Sequence, residues 1–459
     1  MRRNQFVRLA ALLTLLSMAK PCALLAQTAN NWHNLFDGKT LKGWKRVAGT
    51  ATYKVANGAI VGTTVANSGN TFLVTEKEYN DFVLELDVKV DNATSNSGIQ
   101  TRSHFNTPGH ANRVYGRQVE IDPSDRAWSG GIYDEARRDW LYPLDLHPEA
   151  KTAFKLGEYN HIKIECIGNE TKTWVNNIPV AYVVDTVDYK GFIGLQVHAV
   201  SKPEEAGKNV YFKNIKIQTT NLKPAAFPAG IYVVNYVPNH LNSYEEKNGW
   251  NLLFDGKTSQ GWVSGKGDAF PAKGWTVNDG TMTVLSSEGK ESQNGGDIVT
   301  PKEYAAFDLS FEFKLTPGAN SGVKYFVTLA EKTDGSNIGL EYQVLDDELH
   351  PDAKLGRNGD RTLASLYDLF PANKQKRFIR PIGAWNNGRI VVYPDNRVVH
   401  YLNGVKVLEY LRGSQEFLDA VKISKYVVWP NFGMAPKGHL LLQDHGNQVS
   451  FRSIKIKEL

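Results

Sequence analysis

Along much of this chain apolar and polar residues alternate with a period of two, as expected for a strand with one buried face. Residues 82–90 put Phe82, Leu84, Leu86, Val88 and Val90 on one side and Glu85, Asp87 and Lys89 on the other. Residues 307–315 repeat the pattern in Phe307, Leu309, Phe311, Phe313 and Leu315. Asn57-Gly58, Asp279-Gly280 and Asn403-Gly404 lie between such runs and read as hairpin turns. Helical periodicity is weak, confined to short stretches near 149–154 and 415–421. The pattern predicts an all-β protein of antiparallel sandwiches.

The same text is written twice. Leu35-Phe36-Asp37-Gly38-Lys39-Thr40, then Gly43-Trp44, returns as Leu253-Phe254-Asp255-Gly256-Lys257-Thr258, then Gly261-Trp262. Asn96-Ser97-Gly98 returns as Asn320-Ser321-Gly322, and Leu195-Gln196-Val197-His198 as Leu442-Gln443-Asp444-His445. Phe212 to Ile217 matches Phe451 to Ile456. A repeat this long is a domain rather than a solenoid unit. Two tandem sandwich domains follow, 27–220 and 249–459. The stretch 221–248 between them has three prolines but also Ile231-Tyr232-Val233-Val234, and reads as a linker partly packed on one domain. Asp37-Gly38 reads as a turn, Trp44 as core, and Asn96-Ser97-Gly98 as a tight turn that sets strand register.

Residues 1–26 read as an export signal. Arg2, Arg3 and Arg8 precede an apolar run too short to span a bilayer, and Ala26 offers a cleavage point. Removing this segment takes away Arg2, Arg3, Arg8 and Lys20 and no acid, so the formal charge falls from +5 to +1. Nothing then favours nucleic acid or stable membrane insertion. An exported, periplasmic or extracellular product is expected. Cys22 leaves with the signal, so Cys166 has no intrachain partner, and its setting in Ile164-Glu165-Cys166-Ile167 reads as a buried structural thiol.

The outward rows carry the candidate chemistry. In 117–122, Val119 and Ile121 point inward, so Gln118, Glu120 and Asp122 share the other face. The second copy presents Glu341 and Gln343 there, followed by Asp346. Gln196 and His198 share a face, as do Gln443 and His445. After Asn-Ser-Gly, Gln100 and Arg102 share a face in the first domain, and Lys324 and Phe326 in the second. An acid, an amide, a histidine and a cation on neighbouring strands suit a polyhydroxylated ligand, with Tyr133, Trp140, Tyr142 and, in the second copy, Tyr367 supplying ring faces.

Taken together, these motifs resemble the 3-keto-disaccharide hydrolase family over residues 32–217 and 250–456. The resemblance implies a concanavalin- or laminin-G-like jelly roll and glycosides oxidised at C3 as substrates, supplied by a separate sugar 3-dehydrogenase. A C3 ketone acidifies the C2 proton, so the glycosidic oxygen can leave C1 by elimination, followed by hydration. Such a site needs a base, a proton donor and a cation for the enolate. In the first domain His198 or Glu120 is the expected base, Asp122 the partner acid and Arg102 the cation. In the second, His445 and Glu341 move protons, Lys324 is the cation, and Gln343 and Gln443 orient. A carboxylate–histidine cluster can equally hold a divalent cation that polarises the ketone. Two other readings stay open: a glycosidase with paired carboxylates, and a non-catalytic tandem lectin.

Overall fold

The computed structural model describes residues 31–333 and 336–459; the expected export signal lies outside them. Each half is a two-sheet sandwich, so the protein is two tandem antiparallel β-sandwich domains of jelly-roll type. In the first, strand Phe82–Val90 lies inside a nine-stranded sheet between Asn160–Ile167 and Asn209–Gln218. Its apolar row, Phe82 to Val90, is fully buried and shares one core cluster with Ile99, Val119, Ile121, Leu195 and Val197 of the opposing sheet. Each such side chain contributes about 1.5–3 kcal/mol on burial. The opposing seven-stranded sheet runs Asp139–Tyr142, Ile132–Glu135, Val114–Ile121, Ser97–Phe105, Phe192–Val197, Thr71–Thr75 and Trp44–Ala48. In the second domain Phe307–Leu315 is the core strand, and Asn320–Val327, Leu340–Leu345 and Gly438–Leu442 belong to the facing sheet.

The repeated opening motif is structural in both copies. Asp37 Oδ1 accepts from the backbone N–H of Lys39 and Thr40, and Asp255 does the same for Lys257 and Thr258. Trp44 Nε1 donates to Leu35 O at 2.7 Å, and Trp262 Nε1 to Leu253 O at 2.7 Å. The hairpin pairs Asn57-Gly58, Asp279-Gly280 and Asn403-Gly404 all have positive φ at both residues, as a type I′ turn requires. The two short helical signals become a 3-10 turn at Pro148–Thr152 and a helix at Gln415–Lys422.

The Asn-Ser-Gly expectation needs correction. Ser97 and Gly98 already belong to strand Ser97–Phe105, and Gly98 pairs opposite Glu120. The glycine serves close packing rather than a turn.

Residues 221–248 pack against both domains rather than one. Asn239 bonds Gly280 O and Ser453 N, and Glu245 pairs with Lys455 of the second domain (2.5 Å). Phe227 and Val233 pack with Trp174, Tyr182 and Val184, and Val234–Asn235 add a short parallel pairing to the edge strand Ile178–Val184. Val391, Val399 and Tyr401 of the second domain join the first domain's core cluster. Beneath that contact the buried Arg389–Asp308 pair (2.6 Å) stacks under the Tyr232 ring. Cys166 is free and buried, with its thiol pushed up by desolvation, as a structural residue should be. Among the described residues no helix is long and apolar enough to cross a membrane.

Candidate functional site

Strands Ser97–Phe105 and Val114–Ile121 pair with Gln100 opposite Gln118. Their side chains form one directed hydrogen-bond chain. Ser103 Oγ donates to Gln100 Oε1 (2.6 Å), Gln100 Nε2 to Gln118 Oε1 (2.6 Å), and Gln118 Nε2 to Glu120 Oε2 (2.9 Å). Asn96 Nδ2 donates to the other carboxylate oxygen at 2.6 Å. Each donor in such a chain polarises the next, and all of them end on Glu120. Glu120 is only 5% exposed, and its burial outweighs those donors. Its pKa is pushed up to about 7 by desolvation, with the nearby Asp122 charge acting in the same direction. This is a carboxyl group poised to hold or release a proton near neutrality.

His198 follows strand Phe192–Val197 at the solvent-facing rim. Its Nδ1 bonds Ala199 O at 2.8 Å, so in the neutral ring Nδ1 carries the proton and Nε2 keeps its lone pair. The ring is open to water, yet the protein packed around it holds its pKa below the ordinary histidine value. Asn70 fixes this corner: its Oδ1 accepts from Ala199 N (2.8 Å) and its Nδ2 donates to Glu135 (3.1 Å).

Between these groups lies a cavity of about 230 Å³. Its walls are Asn70, Asn96, Gln118, Glu120, Gln196 and His198, with Arg126, Tyr133, Glu135, Trp140 and Arg377. Trp140 stands edge-on to Trp128 (4.6 Å) and Tyr133 (5.3 Å), and the Arg126 guanidinium lies 4.7 Å over Trp128. Tyr133 also donates its hydroxyl to Asp139 at 2.8 Å. Gln196 Oε1 and Asn96 Oδ1 are buried without a partner. The second domain leaves the corresponding atoms, Gln443 Oε1 and Asn320 Oδ1, equally without one. Buried acceptors without donors are rare, and their recurrence at matched positions suits hydroxyl donors on a ligand.

Three first-domain expectations are corrected by the placement. Arg102 sits in a bulge, with a register shift between Thr101 and His104 and φ of 50°. The bulge breaks the two-residue alternation, and the guanidinium turns to Asn80 O, Gly168 O and Asp81, away from the cavity. Phe326 bulges at the matching place, with φ of 54°. Asp122 lies past the end of its strand and is bound by Arg126 (2.7 Å), so it anchors a cavity residue rather than lining the cavity. Tyr142 is buried and donates to Tyr232 O at 2.9 Å, a structural contact with 221–248. The cations that border the cavity are therefore Arg126 and Arg377. The signal of Arg126 was present in sequence as an acid–base pair four residues apart just after the Glu120 strand. Glu135, two residues from Tyr133 on one strand face, was legible in the same way. Asn70 and Arg377 come from distant segments and gave no local signal.

In the second domain Lys324 lies opposite Glu341 across the strand pair. Its ammonium donates to Ser336 Oγ (2.5 Å) and Asn337 O (3.0 Å), and Ser336 Oγ donates to Asp297 (2.7 Å). The expected cation of this site thus already donates twice within the protein. Glu341 is raised above the ordinary carboxylate value by desolvation, which Lys324 and Lys425 oppose. Gln343 Oε1 accepts from Val344 N (3.0 Å). His445 faces His350 edge-on at 5.6 Å and is lowered by burial, and its Nδ1 has no partner. Tyr367 donates to Asp352 (2.8 Å), with the Lys425 ammonium 4.3 Å over its ring. Asp346 is corrected too. It accepts from Gly318, Glu348 and Leu349 N–H groups and borders a different cavity, beside Lys374 and Lys376. Among the described residues no group of three or more His, Cys, Asp or Glu side chains is placed to hold a metal ion. The divalent-cation expectation therefore finds no donor set among the described residues.

Gly98 makes the first site possible. A Cβ there would stand 2.3 Å from Gln118 Cδ, and one on Gly322 would stand 2.1 Å from Glu341 Oε1. Gly98→Ala is expected to displace Gln118 and remove one of the donors to Glu120, at a cost of about 1–3 kcal/mol. Hydrogen bonds to a carboxylate favour its charged form, so their loss raises the Glu120 pKa further. The alkaline limb of an activity–pH profile should move to higher pH; an unmoved limb would detach Gln118 from the chemistry.

A model of the 3-keto-alpha-glucoside-1,2-lyase-like domain matches residues 31–218 and again 249–457. A 3-keto-disaccharide hydrolase from Bacteroides thetaiotaomicron is 38% identical over 236 residues, covering 47% of this chain and 80% of that protein. Among solved structures, a candidate glycosyl hydrolase from Parabacteroides distasonis is 30% identical, with a TM-score of 0.41 and coverage of 48% of this chain and 99% of that one. A second from the same organism is 25% identical, with a TM-score of 0.35 and coverage of 46% and 100%. With both halves matched, the chain belongs to the 3-keto-alpha-glucoside-1,2-lyase-like domain family, in two tandem copies.

Proposed function

We propose that the chain is a carbohydrate hydrolase that cleaves glycosides oxidised at C3, and that the first domain carries the chemistry. The observation that supports this most is Glu120, held near pKa 7 in the same cavity as a histidine with a free Nε2. His198 takes the C2 proton, and the C2–H electron pair becomes a C1=C2 bond. The C1–O pair leaves with the glycosidic oxygen, which receives the Glu120 proton. Water then adds to C1, returning a proton to Glu120 while His198 gives its proton back to C2. The net change is hydrolysis. Arg126 and the Asn96 and Gln118 amides supply charge and hydrogen bonds around the reacting oxygens.

The second domain carries the same two buried, unpartnered amide oxygens, on Asn320 and Gln443, and with Glu341 and His445 is proposed as a second carbohydrate site. Export is part of the same reading, resting on Arg2, Arg3, Arg8 and the apolar run after them. A sugar 3-dehydrogenase must supply the ketone, since nothing in this mechanism oxidises C3.

The test is aglycone release from a 3-keto-glycoside and from its unoxidised parent, using the purified chain. Release from the keto compound alone supports elimination. Equal release from both would favour paired-carboxylate hydrolysis, and binding of both without release would leave a tandem lectin.

A further inference from the structure

The cavity of the first domain is not built from the first domain alone. Arg377 belongs to the second domain's segment between Asp368 and Asn386, yet it borders the cavity beside Glu120, Arg126, Trp140 and His198. The segment is fixed at both ends. From the second domain, Asn403 Nδ2 donates to Phe378 O (2.7 Å) and Asn386 Oδ1 accepts from Arg380 N (2.9 Å). Toward the first domain, the Phe378 ring lies 6.0 Å from Trp128, Arg380 Nη2 donates to Trp140 O (3.3 Å), and Arg380 approaches Asp139 at 3.7 Å. These are the same Trp128 and Trp140 that back the cavity wall. The position of Arg377 is therefore set by contacts with both domains.

Its charge is uncommitted. Nε donates to Gln375 Oε1 (2.9 Å) and the guanidinium lies 4.6 Å over its neighbour Phe378, which orient the side chain. Among the described residues it makes no ion pair, whereas Arg126 across the cavity is paired with Asp122. Neither carboxyl group in the cavity wall is paired with it among the described residues: Glu120 accepts from Asn96 and Gln118, and Glu135 from Asn70. Burial raises both Glu120 and Glu135, so each gives up its proton less readily than an ordinary carboxyl. Trp128 Nε1, next to Phe378, is a buried donor without a partner. This edge of the cavity thus combines a positive charge from the second domain, which no carboxylate of the described residues pairs, with an unpartnered indole N–H from the first. A planar guanidinium in this state matches the two oxygens of a carboxylate.

We propose that Arg377 is a specificity-determining residue, contributed by the second domain to the first domain's site, that binds an acidic group on the leaving-group half of the substrate. This rests on the reading of that cavity as the substrate site. It gives the tandem arrangement a purpose: one sandwich supplies the reacting groups, and the other supplies the rim that selects what is attached. The ligand class is a disaccharide or glycoside whose leaving unit carries a carboxylate.

The experiment uses the full chain with two matched disaccharides, one with a hexuronic acid as leaving unit and one with the corresponding neutral hexose. Binding is read by calorimetry on the unoxidised pair and turnover on the 3-keto pair. Wild type is expected to prefer the acidic member, and Arg377→Ala to weaken its binding about tenfold, the scale of one charge-assisted contact. The neutral member should lose threefold or less. Arg377→Lys should keep part of the preference, because it retains charge without the fork. Higher salt should erode the preference in wild type and change little in Arg377→Ala. Equal affinity of wild type for both sugars, or an equal loss for both in Arg377→Ala, would overturn the proposal. Failure of turnover with the acid preference intact would remove the catalytic reading alone. Arg377 is exposed, so an unchanged denaturation midpoint checks that the variant is folded.

Discussion

Glu120→Gln is expected to lower kcat for a 3-keto-glycoside by about a thousandfold, the middle of the range for losing a positioned proton-transfer group. KM should change far less, because the carboxamide keeps the shape and one acceptor for Asn96 or Gln118. The same variant should be the more stable protein above neutrality. The native Glu120 holds its proton up to about pH 7, whereas an unfolded glutamate releases it near 4.5. The stabilisation that the buried acid enjoys is therefore complete below pH 4.5 and is lost as pH rises through 7. Each pKa unit corresponds to about 1.4 kcal/mol, so burial of the ionised group costs up to about 3 kcal/mol at pH 8. A carboxamide avoids that cost but accepts one hydrogen bond fewer, worth about 1 kcal/mol, which leaves a net gain of about 1–2 kcal/mol. Denaturant unfolding of both proteins at pH 5 and pH 8 measures this. A gain at pH 8 that shrinks at pH 5, in a variant without activity, would identify Glu120 as a group kept at the expense of stability. The same difference at both pH values would mean that Glu120 does not titrate there.

Much of this site was legible in the chain because a strand has only two faces. Once Val119 and Ile121 are inward, Gln118 and Glu120 must share the other side, and their register with Gln100 follows from the hairpin. The duplicated Gln196 and Gln443 were legible for the same reason. Strand alternation itself breaks down at two places. A bulge at Arg102 sends that side chain out of the row, and the end of a strand releases Asp122 into a loop. Glycine after Asn-Ser signals a turn, whereas the role of Gly98 is to leave room for Gln118. What no local pattern carries is the meeting of distant segments. Asn70 and Arg377 reach the cavity only through the packing of a neighbouring strand and of the second sandwich.

His198→Ala and His445→Ala then separate the two copies. His198→Ala should reduce kcat by about a hundredfold to a thousandfold, since removal of the base leaves only water to take the C2 proton. Before that loss appears, the wild-type pH profile should already be bell-shaped. Its acid limb reports a histidine held below its ordinary value, and its alkaline limb reports an acid near 7. In His198→Ala the acid limb should flatten while the alkaline limb stays, because Glu120 keeps both its donors. His445→Ala should cost at least tenfold less in kcat than His198→Ala, because its neighbour Lys324 is already committed to Ser336 and Asn337. A loss confined to His445→Ala, with an intact bell in His198→Ala, would move the chemistry to the second domain. The first cavity, rimmed by Arg377, would then be the binding site that serves it.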